Sequence, residues 1–493
     1  MQTRLRSMFL SFCFLGGAAA SLNCSAGESD TAGPSRVVGP ATPTLPTGEP
    51  GTGNPVNGAP TGEGPGTPIF GGVEATPVVA PNTPITASRC TLEGRPKTTV
   101  RATIYDPAGR LPLYNVMVYV PSTELDPIVE GATCDRCDAT ASGTPAAAAL
   151  TDPSGAFVME DVPDGTNIPF VIQMGKWRRQ IRLAQVLPCQ DNTFDDPELF
   201  RLPRTQAEGH LPKIAMVTGR ADKLEGMLRV IGVADSEFTN PGGSGRVNLY
   251  TAGFESIASY VNGDPLPSAD ELLGSVERLS QYDMVIMSCH GESTSLGYAQ
   301  PTAQKEAAKA YVDGGGRMFG SHFYFSYLRG PPGSKNHFAT PFPDVATWDS
   351  DSSPTQFDIE TSFPKGQAFA QWLFNVGASP VLGAIELEGV EGSAATLLTP
   401  YTQPWISGPN TIPYFSMNMP VEKADRPDEQ CGRFVHTGIH VAEGDNDPFP
   451  SGNADRELTP QEKAFEFLIF DLSACPARFD IPPAPPKVEV QIR

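Results

Sequence analysis

The feature that most constrains the fold of this 493-residue chain is an apolar run at residues 282–287, which stops abruptly in the sequence SCHGE at 288–292. A short, continuous apolar run is typical of a strand that is buried on both faces of a parallel sheet. Open parallel sheets bind their ligands at the carboxyl ends of the strands. A cysteine beside a histidine at such an end, here Cys289 and His290, suggests a nucleophile and its base.

The segment from residue 210 to residue 475 alternates apolar strands with amphipathic helices. The periodicity and the capping residues predict strands at 213–219, 246–250, 282–287, 317–322 and 432–440, and helices at 221–231, 268–279, 302–312, 366–376 and 459–472. Repeated strand–helix units indicate a doubly wound, mostly parallel α/β domain of the flavodoxin-like kind.

Residues 89–205 have a different pattern, in which short alternating strands are separated by Asp-Pro and Asp-Gly turns. This pattern predicts a small β-sandwich, so the chain as a whole is expected to be an α+β multidomain protein. The passage TDPSGAFVMEDVPDG at 151–165 resembles the carboxypeptidase regulatory-like domain. That resemblance implies a spacer, a folding companion or a binding module, and no catalytic set of residues.

The N-terminus has the three parts of a secretory signal peptide at residues 1–23, namely basic residues, an apolar run and small residues. Its apolar run is shorter than the roughly 20 residues that a membrane-spanning helix needs. Cleavage before Cys24 would acylate that cysteine and anchor the protein to a bacterial membrane. Cleavage after residues 18–20 would release a secreted protein. Ser21 stands where a bacterial lipobox has leucine.

The sequence that follows the signal, residues 24–88, is rich in Pro, Gly and Thr and contains one aromatic residue, Phe70. Such a segment cannot bury enough apolar surface to fold, and it is predicted to be a disordered linker. A long tether directly after Cys24 favours the lipid-anchored form at the cell envelope, with secretion as the alternative. Residues 476–493 form a second proline-rich tail.

The charge of the chain excludes one class of partner. The formal net charge is −21, from 56 acidic and 35 basic residues. Nucleic acid is therefore not expected as a partner, because its phosphates would be repelled. The expected partners are the membrane, through the lipid on Cys24, and an envelope component or a saccharide.

The cysteine pattern fits an exported protein with disulfides. The candidates for disulfide bonding fall into a group of four and a C-terminal pair: Cys90, Cys134, Cys137, Cys189, and then Cys431, Cys475. We predict two disulfides within the first group and one between the last two cysteines. The alternative for the CxxC sequence at 134–137 is a zinc site, which usually needs a second compact pair of ligands. Cys289 is left over, as a reactive thiol or as an inert buried one.

Three stretches carry a second resemblance. The sequences YDMVIMS at 282–288, AYVDGGGRMFGSH at 310–322 and GRFVHTGIH at 432–440 resemble the class I glutamine amidotransferase-like superfamily, and within it the trehalose-utilisation-type branch. The resemblance covers most of 212–475, with a poor match around 330–430. It implies the α/β fold.

The catalytic positions of that family differ in this chain. His322 stands where the resemblance places the nucleophilic cysteine, and Cys289 lies one strand earlier, at the oxyanion loop. His440 matches the histidine of the terminal His-Pro-Glu motif, but Glu443 is one residue too far along. These departures imply a degenerate amidotransferase-like domain without glutaminase activity.

The remaining polar residues are expected at the carboxyl ends of neighbouring strands. The candidate catalytic residues are Cys289, His290, His322 and His440. The candidate metal ligands are His290, His322, His440 and Glu443, with Glu292 and Asp445 as nearby carboxylates. The alternative is that these residues line an inherited, inactive crevice.

The leading expectation from the sequence is accordingly an envelope protein with a binding or structural role. The alternative is a hydrolase, with or without a metal ion, that acts on a saccharide or an amide. The sequence names neither the cofactor nor the ligand.

Overall fold

The computed structural model describes residues 90, 93–135, 141–219, 221–252, 260–290, 301–328, 340–348, 354–391, 393–398, 402–441, 449–450 and 453–488. All of these residues belong to one compact unit of the chain. The predicted signal peptide, the linker, Cys24 and Cys137 lie outside the described residues. None of the helices in the described part combines the length and the apolar character that a bilayer-spanning helix needs.

The N-terminal part is built from two sheets. Its strands are β1 (Thr99–Thr103), β2 (Met117–Pro121), β3 (Pro145–Leu150), β4 (Ala156–Met159), β5 (Gly165–Met174), β6 (Trp177–Val186), β7 (Asp191–Thr193) and β8 (Gly209–His210). The order is β4-β1-β7 in one sheet and β3-β2-β5-β6-β8 in the other. Phe157 on β4 and Phe170 on β5 pack with their ring centroids 5.7 Å apart, which joins the two sheets in one core.

The C-terminal part contains the other strands and all the α-helices of the described residues. Its strands are β9 (Ile214–Thr218), β10 (Phe238–Thr239), β11 (Val247–Thr251), β12 (Tyr260–Val261), β13 (Asp264–Pro265), β14 (Met284–Met287), β15 (Arg317–Ser321), β16 (Ala346–Thr347), β17 (Gln356–Ile359), β18 (Ala384–Glu386), β19 (Thr396–Leu397), β20 (Gln403–Gly408), β21 (Thr411–Met419) and β22 (Gly432–Thr437). Its helices are α1 (Leu224–Val230), α2 (Asp270–Leu273), α3 (Val276–Leu279), α4 (Thr302–Asp313), α5 (Pro364–Asn375) and α6 (Pro460–Ser473).

The main sheet has ten strands within the described residues, in the order β10-β11-β9-β14-β15-β22-β21-β20-β17-β18. The strands from β10 to β22 run parallel to one another, as the sequence predicts. The other four, from β21 to β18, are antiparallel. They occupy much of the stretch around 330–430 that matches the resembled family poorly. The molecule is thus, at a coarse level, a β-sandwich with an α/β domain.

The parallel strands are covered on both faces. On β9, Ile214 and Met216 point into one core, which also contains residues of α1, α5 and α6. The alternating residues Ala215 and Val217 point into a second core with residues of α2, α3 and α4. Burial on both faces is the physical reason why these strands read as continuous apolar runs.

The topology also fixes where the strand order reverses. From β9 the chain moves outward to β10 and β11, and it then returns past β9 to form β14. In open α/β sheets the crevice at such a reversal, outside the carboxyl ends of the strands, is the usual ligand site. The reversal here lies between β9 and β14.

Two predicted elements differ in the structure. The helix predicted at 268–279 is divided into α2 and α3, because Gly274 ends the first helix and Ser275 caps the second by accepting from the backbone N–H of Arg278 at 3.3 Å. The strand predicted at 432–440 ends at Thr437. Gly438 follows, and its amide donates to the carbonyl of Pro413 at 2.7 Å.

The disulfide pairing predicted from cysteine spacing is wrong for the C-terminal pair and for Cys134, which is expected to pair within the first group of four. Cys90 pairs with Cys189 inside the sandwich, but Cys134 pairs with Cys431, 297 residues away. The physical reason is the position of the segment after β2, which carries Cys134. The amide of Ala132 donates to the carbonyl of Ser280 at 2.9 Å, so this segment lies against the α/β domain. Cys475 is also disulfide-bonded.

Candidate functional site

Three short segments at the carboxyl edge of the main sheet carry the candidate ligands. Cys289 lies two residues beyond the end of β14, His322 directly follows β15, and His440 lies three residues beyond β22. Since β14, β15 and β22 are neighbouring parallel strands, their carboxyl ends meet at one place. The structure therefore brings together residues that are far apart in the sequence.

The donor atoms of these three side chains face one another. The Sγ atom of Cys289 lies 3.4 Å from Nδ1 of His322, and the same Nδ1 lies 3.2 Å from Nε2 of His440. All three donor atoms lie within 4.8 Å of one another. One thiol and two imidazole nitrogens thus converge on one point.

The outer nitrogens of the two histidines face acceptors on a single loop. Nδ1 of His440 lies 3.1 Å from the carbonyl oxygen of Gly389. Nε2 of His322 lies 3.8 Å from a carboxylate oxygen of Glu391. The loop itself is held against the segment after β22, because the amide of Glu391 donates to the carbonyl of Gly438 at 2.8 Å.

The cluster is closed on one side and more open on the other. Cys289 has no exposed surface and His322 is 3 % exposed, whereas His440 is half-buried and the Glu391 side chain is 35 % exposed. Burial holds the pKa of His322 well below its usual value, and the neighbouring His440, His436 and His290 lower it further. The His322 imidazole is therefore neutral at neutral pH, which is the form that binds metal ions.

His322 has a strained backbone. Its φ angle is +41°, in the left-handed region that residues other than glycine seldom adopt. A residue held in such a conformation costs about 1–3 kcal/mol and is found most often at active sites and ligand-binding loops. The ring of Phe323 stacks on the His322 imidazole with centroids 4.0 Å apart, so the strained residue is also fixed by packing.

His290, which the sequence analysis includes among the metal ligands, is not part of the cluster. Its imidazole stacks on the ring of Phe323 with a centroid distance of 5.3 Å, and it contacts Tyr324 edge-on. Burial lowers the pKa of His290. Its side chain packs among aromatic rings, and the cluster of donor atoms does not include it. The predicted carboxylates Glu292, Glu443 and Asp445 lie outside the described residues.

Two residues of the site were not predicted from the sequence. Glu391 lies in the stretch around 330–430 that matches the resembled family poorly. The residues around it form no motif that would mark it as part of a site. Asp222 is fully buried and follows β9, at the same edge of the sheet. The rule that singled out Cys289, a polar residue soon after a buried strand, would have found Asp222 as well.

The observed separations can be compared with those of a metal site. Zinc binds sulfur at about 2.3 Å and nitrogen at about 2.05 Å, and a tetrahedron with these bonds has S–N edges of roughly 3.6 Å and N–N edges of roughly 3.3 Å. The separations here are 3.4 Å for Cys289 to His322 and 3.2 Å for His322 to His440. Two of the three edges of the cluster therefore nearly match those of one face of such a tetrahedron, and the third, between Cys289 and His440, is no longer than 4.8 Å.

Comparisons with known proteins find only remote similarity. No protein-family model matches the chain, and no curated protein matches it. A putative ThuA-like protein from Bacteroides uniformis is 12% identical, with a TM-score of 0.23 over 53% of this chain and 93% of that chain. A type II cohesin–X-dockerin complex from Acetivibrio cellulolyticus gives 14% identity and a TM-score of 0.15, over 39% of this chain and 97% of that chain. These similarities carry no argument about function.

Proposed function

We propose that the crevice at the carboxyl edge of the main sheet is a transition-metal site, with Cys289 Sγ, His322 Nδ1 and His440 Nε2 as ligands, and that it supports metal-assisted hydrolysis. The observation that carries the proposal is the orientation of the two imidazoles. Their inner nitrogens converge, while their outer nitrogens face Glu391 and Gly389. Metal-binding histidines almost always have a carboxylate or a backbone carbonyl at the second nitrogen.

The donor set selects the class of metal. A thiolate and two imidazoles suit zinc or copper, whereas magnesium and calcium prefer oxygen ligands. Three protein ligands also leave a fourth position for water or substrate, which distinguishes catalytic from structural zinc sites. The graded burial agrees with this, because His440 and Glu391 are partly exposed whereas Cys289 and His322 are buried.

The substrate class follows from the chemistry that such a site supplies. A bound metal ion lowers the pKa of its water to about 7 and polarises a carbonyl oxygen. Glycoside hydrolysis usually needs a pair of available carboxylates. In the described part of the site, Asp222 already accepts a hydrogen bond from the amide of Val441, so an amide or ester fits better than a glycoside.

Two other functions would use the same residues. A cysteine nucleophile with His322 as its base is disfavoured by the complete burial of Cys289. A binding role at the envelope without turnover needs the metal site but no reaction. Metal analysis distinguishes the cysteine nucleophile from the metal site. A hydrolysis assay distinguishes a binding role from metal-assisted hydrolysis.

The proposal extends to the setting of the site. We propose that the α/β part is of the flavodoxin-like kind, which the parallel order β11-β9-β14-β15-β22 supports. The sandwich would then be a spacer, and the N-terminal segment would export the chain and anchor it through Cys24. Labelling with a fatty-acid analogue tests the anchor: it should mark the wild-type chain but not Cys24→Ala.

The experiment for the metal site is elemental analysis of the purified chain, followed by titration with Co²⁺ and Zn²⁺. We expect one metal ion per chain, and its loss in each of the variants Cys289→Ser, His322→Ala and His440→Ala. His210→Ala is the matched control, because His210 lies in the sandwich sheet, on β8. A chain that binds no metal, or a His440→Ala variant that binds it normally, would contradict the proposal.

A further inference from the structure

We propose that Asp222 is a positioning residue, which holds the three ligand-bearing segments at the separation that one metal ion requires. The inference rests on the proposed metal site. Asp222 has no exposed surface and lies four residues beyond β9, on the side of the strand reversal opposite to Cys289. Its carboxylate contacts the two histidine segments, and its backbone contacts the cysteine segment.

The two carboxylate oxygens link the two histidines. Oδ1 accepts a hydrogen bond from the backbone N–H of Val441 at 2.9 Å, and Oδ2 accepts one from the hydroxyl of Ser321. Val441 directly follows His440, and Ser321 directly precedes His322. One rigid, planar carboxylate therefore sets the distance between the two backbone segments that carry His322 and His440. Both hydrogen bonds are shielded from water, and a hydrogen bond is stronger in such low-dielectric surroundings.

The backbone of the same segment links Cys289. The amides of Ala221 and Asp222 lie 3.1 Å and 3.4 Å from the carbonyl oxygen of Cys289. This approach depends on Gly219, because a Cβ atom there would overlap the carbonyl of Cys289. Gly219, Ala221 and Asp222 thus contact Cys289, and Asp222 also contacts the immediate neighbours of both histidines.

The arrangement explains how three separate strand ends form one site. Cys289 and His440 lie on loops and His322 begins a short 3₁₀ helix (His322–Tyr327), and such segments are less precisely placed than strands. Residues that orient the ligands from outside typically contribute a factor of 10–100 to metal affinity. The Asp222 carboxylate acts on the backbone beside the ligands and sets the separation of the two histidine segments. We expect its contribution to metal affinity to be of similar size.

The test compares the Co²⁺ affinity and the thiolate-to-metal absorption band of the wild-type chain with those of three variants. Asp222→Ala removes both carboxylate contacts and should weaken binding by about 10–100-fold and shift the band. Ser321→Ala removes one contact and should give a smaller loss. Asp222→Asn keeps an acceptor for Val441 and a polar partner for Ser321, so it should recover most of the affinity. Asp235→Ala, an exposed partner of Arg229, is the control.

Two results would overturn the inference. One is an Asp222→Ala variant with wild-type affinity and an unshifted band. The other is an Asp222→Asn variant as weak as Asp222→Ala, which would mean that the charge rather than the geometry is needed. Since Asp222→Ala removes a buried carboxylate, its folding is checked by thermal melting, and Ser321→Ala supplies the milder test.

A metal-free readout separates this inference from the proposed function. The imidazole NMR signals of His322 and His440 can be assigned by substitution among the six histidines of the chain. We expect Asp222→Ala to shift both signals in metal-free protein and Asp222→Asn to leave them nearly in place. If the wild-type chain binds no metal but these shifts occur, the metal site fails and the positioning role stands. If neither signal moves, the positioning role fails.

Discussion

The Sγ atom of Cys289 lies 3.4 Å from Nδ1 of His322, although 33 residues separate them in the sequence. The contact exists because β14 and β15 are neighbouring parallel strands, so the residues after each strand meet at one edge. His440, after the next strand, completes the cluster. One sulfur and two nitrogen donors thus converge at the carboxyl edge of the sheet.

Glu391 is predicted to strengthen metal binding through His322. Glu391→Gln removes the carboxylate that lies 3.8 Å from Nε2 of His322, so we expect the Zn²⁺ affinity to fall by about 10-fold. Glu388→Gln is the matched control, because Glu388 lies on the same loop and is exposed. Competition titration with a chelator measures both. Equal affinities in the two variants would remove Glu391 from the site.

A pair of buried carboxyl groups predicts that stability depends on pH. Asp106 is 1 % exposed and burial raises its pKa from 3.8 to about 7; burial and the nearby Asp106 also raise the pKa of Glu466. Arg110 and Lys463 face the pair and oppose these shifts. These two groups bind protons more tightly in the folded state than in the unfolded chain. The stability that they contribute is therefore fully present below about pH 4 and is lost as the pH rises to about 7.

The substitution that tests this pH dependence is Glu466→Leu. Both carboxylate oxygens of Glu466 lack a hydrogen-bond partner among the described residues. Removing this buried group should stabilise the chain at pH 8 by roughly 1–3 kcal/mol, and by less at pH 5. Urea denaturation at the two pH values gives the comparison, with exposed Glu457→Gln as the control. An identical effect at both values would contradict the prediction.

A buried ion triad predicts a large loss of stability on substitution. Asp471 pairs with Lys365 and Arg433, and the three side chains are between 1 % and 9 % exposed. Asp471→Asn leaves two buried cations without their anion, which should cost about 3–5 kcal/mol. The control is Asp480→Asn, since the Asp480–Arg478 pair is exposed and its loss should cost less than about 0.5 kcal/mol. Chemical denaturation that gave similar values for both would be inconsistent with the triad.

The disulfide between Cys134 and Cys431 predicts a specific peptide map. Proteolysis without reduction should release a linked pair of peptides that contain these two cysteines, and a second pair that contains Cys90 and Cys189. The double variant Cys134→Ser/Cys431→Ser should lose about 2–5 kcal/mol, because the bond closes a very long loop. Mass spectrometry that found Cys431 linked to Cys475 would support the pairing expected from sequence spacing instead.

Much of the α/β fold could be predicted from local patterns. The strand at 284–287 is apolar on both faces, and the helix that follows Thr459 carries a complete capping box with Glu462, so each signal is contained in a few neighbouring residues. The antiparallel extension from β21 to β18 could not be predicted in this way. Its pairing depends on contacts between strands rather than on any periodicity of its own.

The candidate site was predictable in part for the same reason. Polar residues after buried strands marked Cys289, His322 and His440, but they also marked His290, whose side chain stacks on the ring of Phe323 outside the cluster. Side-chain direction after a strand depends on the turn. The positive φ of His322 could not be predicted from its residue type. Glu391 contacts His322 from a loop that is distant in the sequence, and Cys134 bonds to Cys431 from the segment after β2. Both contacts depend on the tertiary structure alone.

The most direct test of the metal site is X-ray absorption at the zinc edge on the purified, zinc-loaded chain. We predict one sulfur ligand at about 2.3 Å and two or three nitrogen or oxygen ligands at about 2.0–2.1 Å, with the sulfur lost in Cys289→Ser. A spectrum with no sulfur ligand, or one that Cys289→Ser leaves unchanged, would contradict the account.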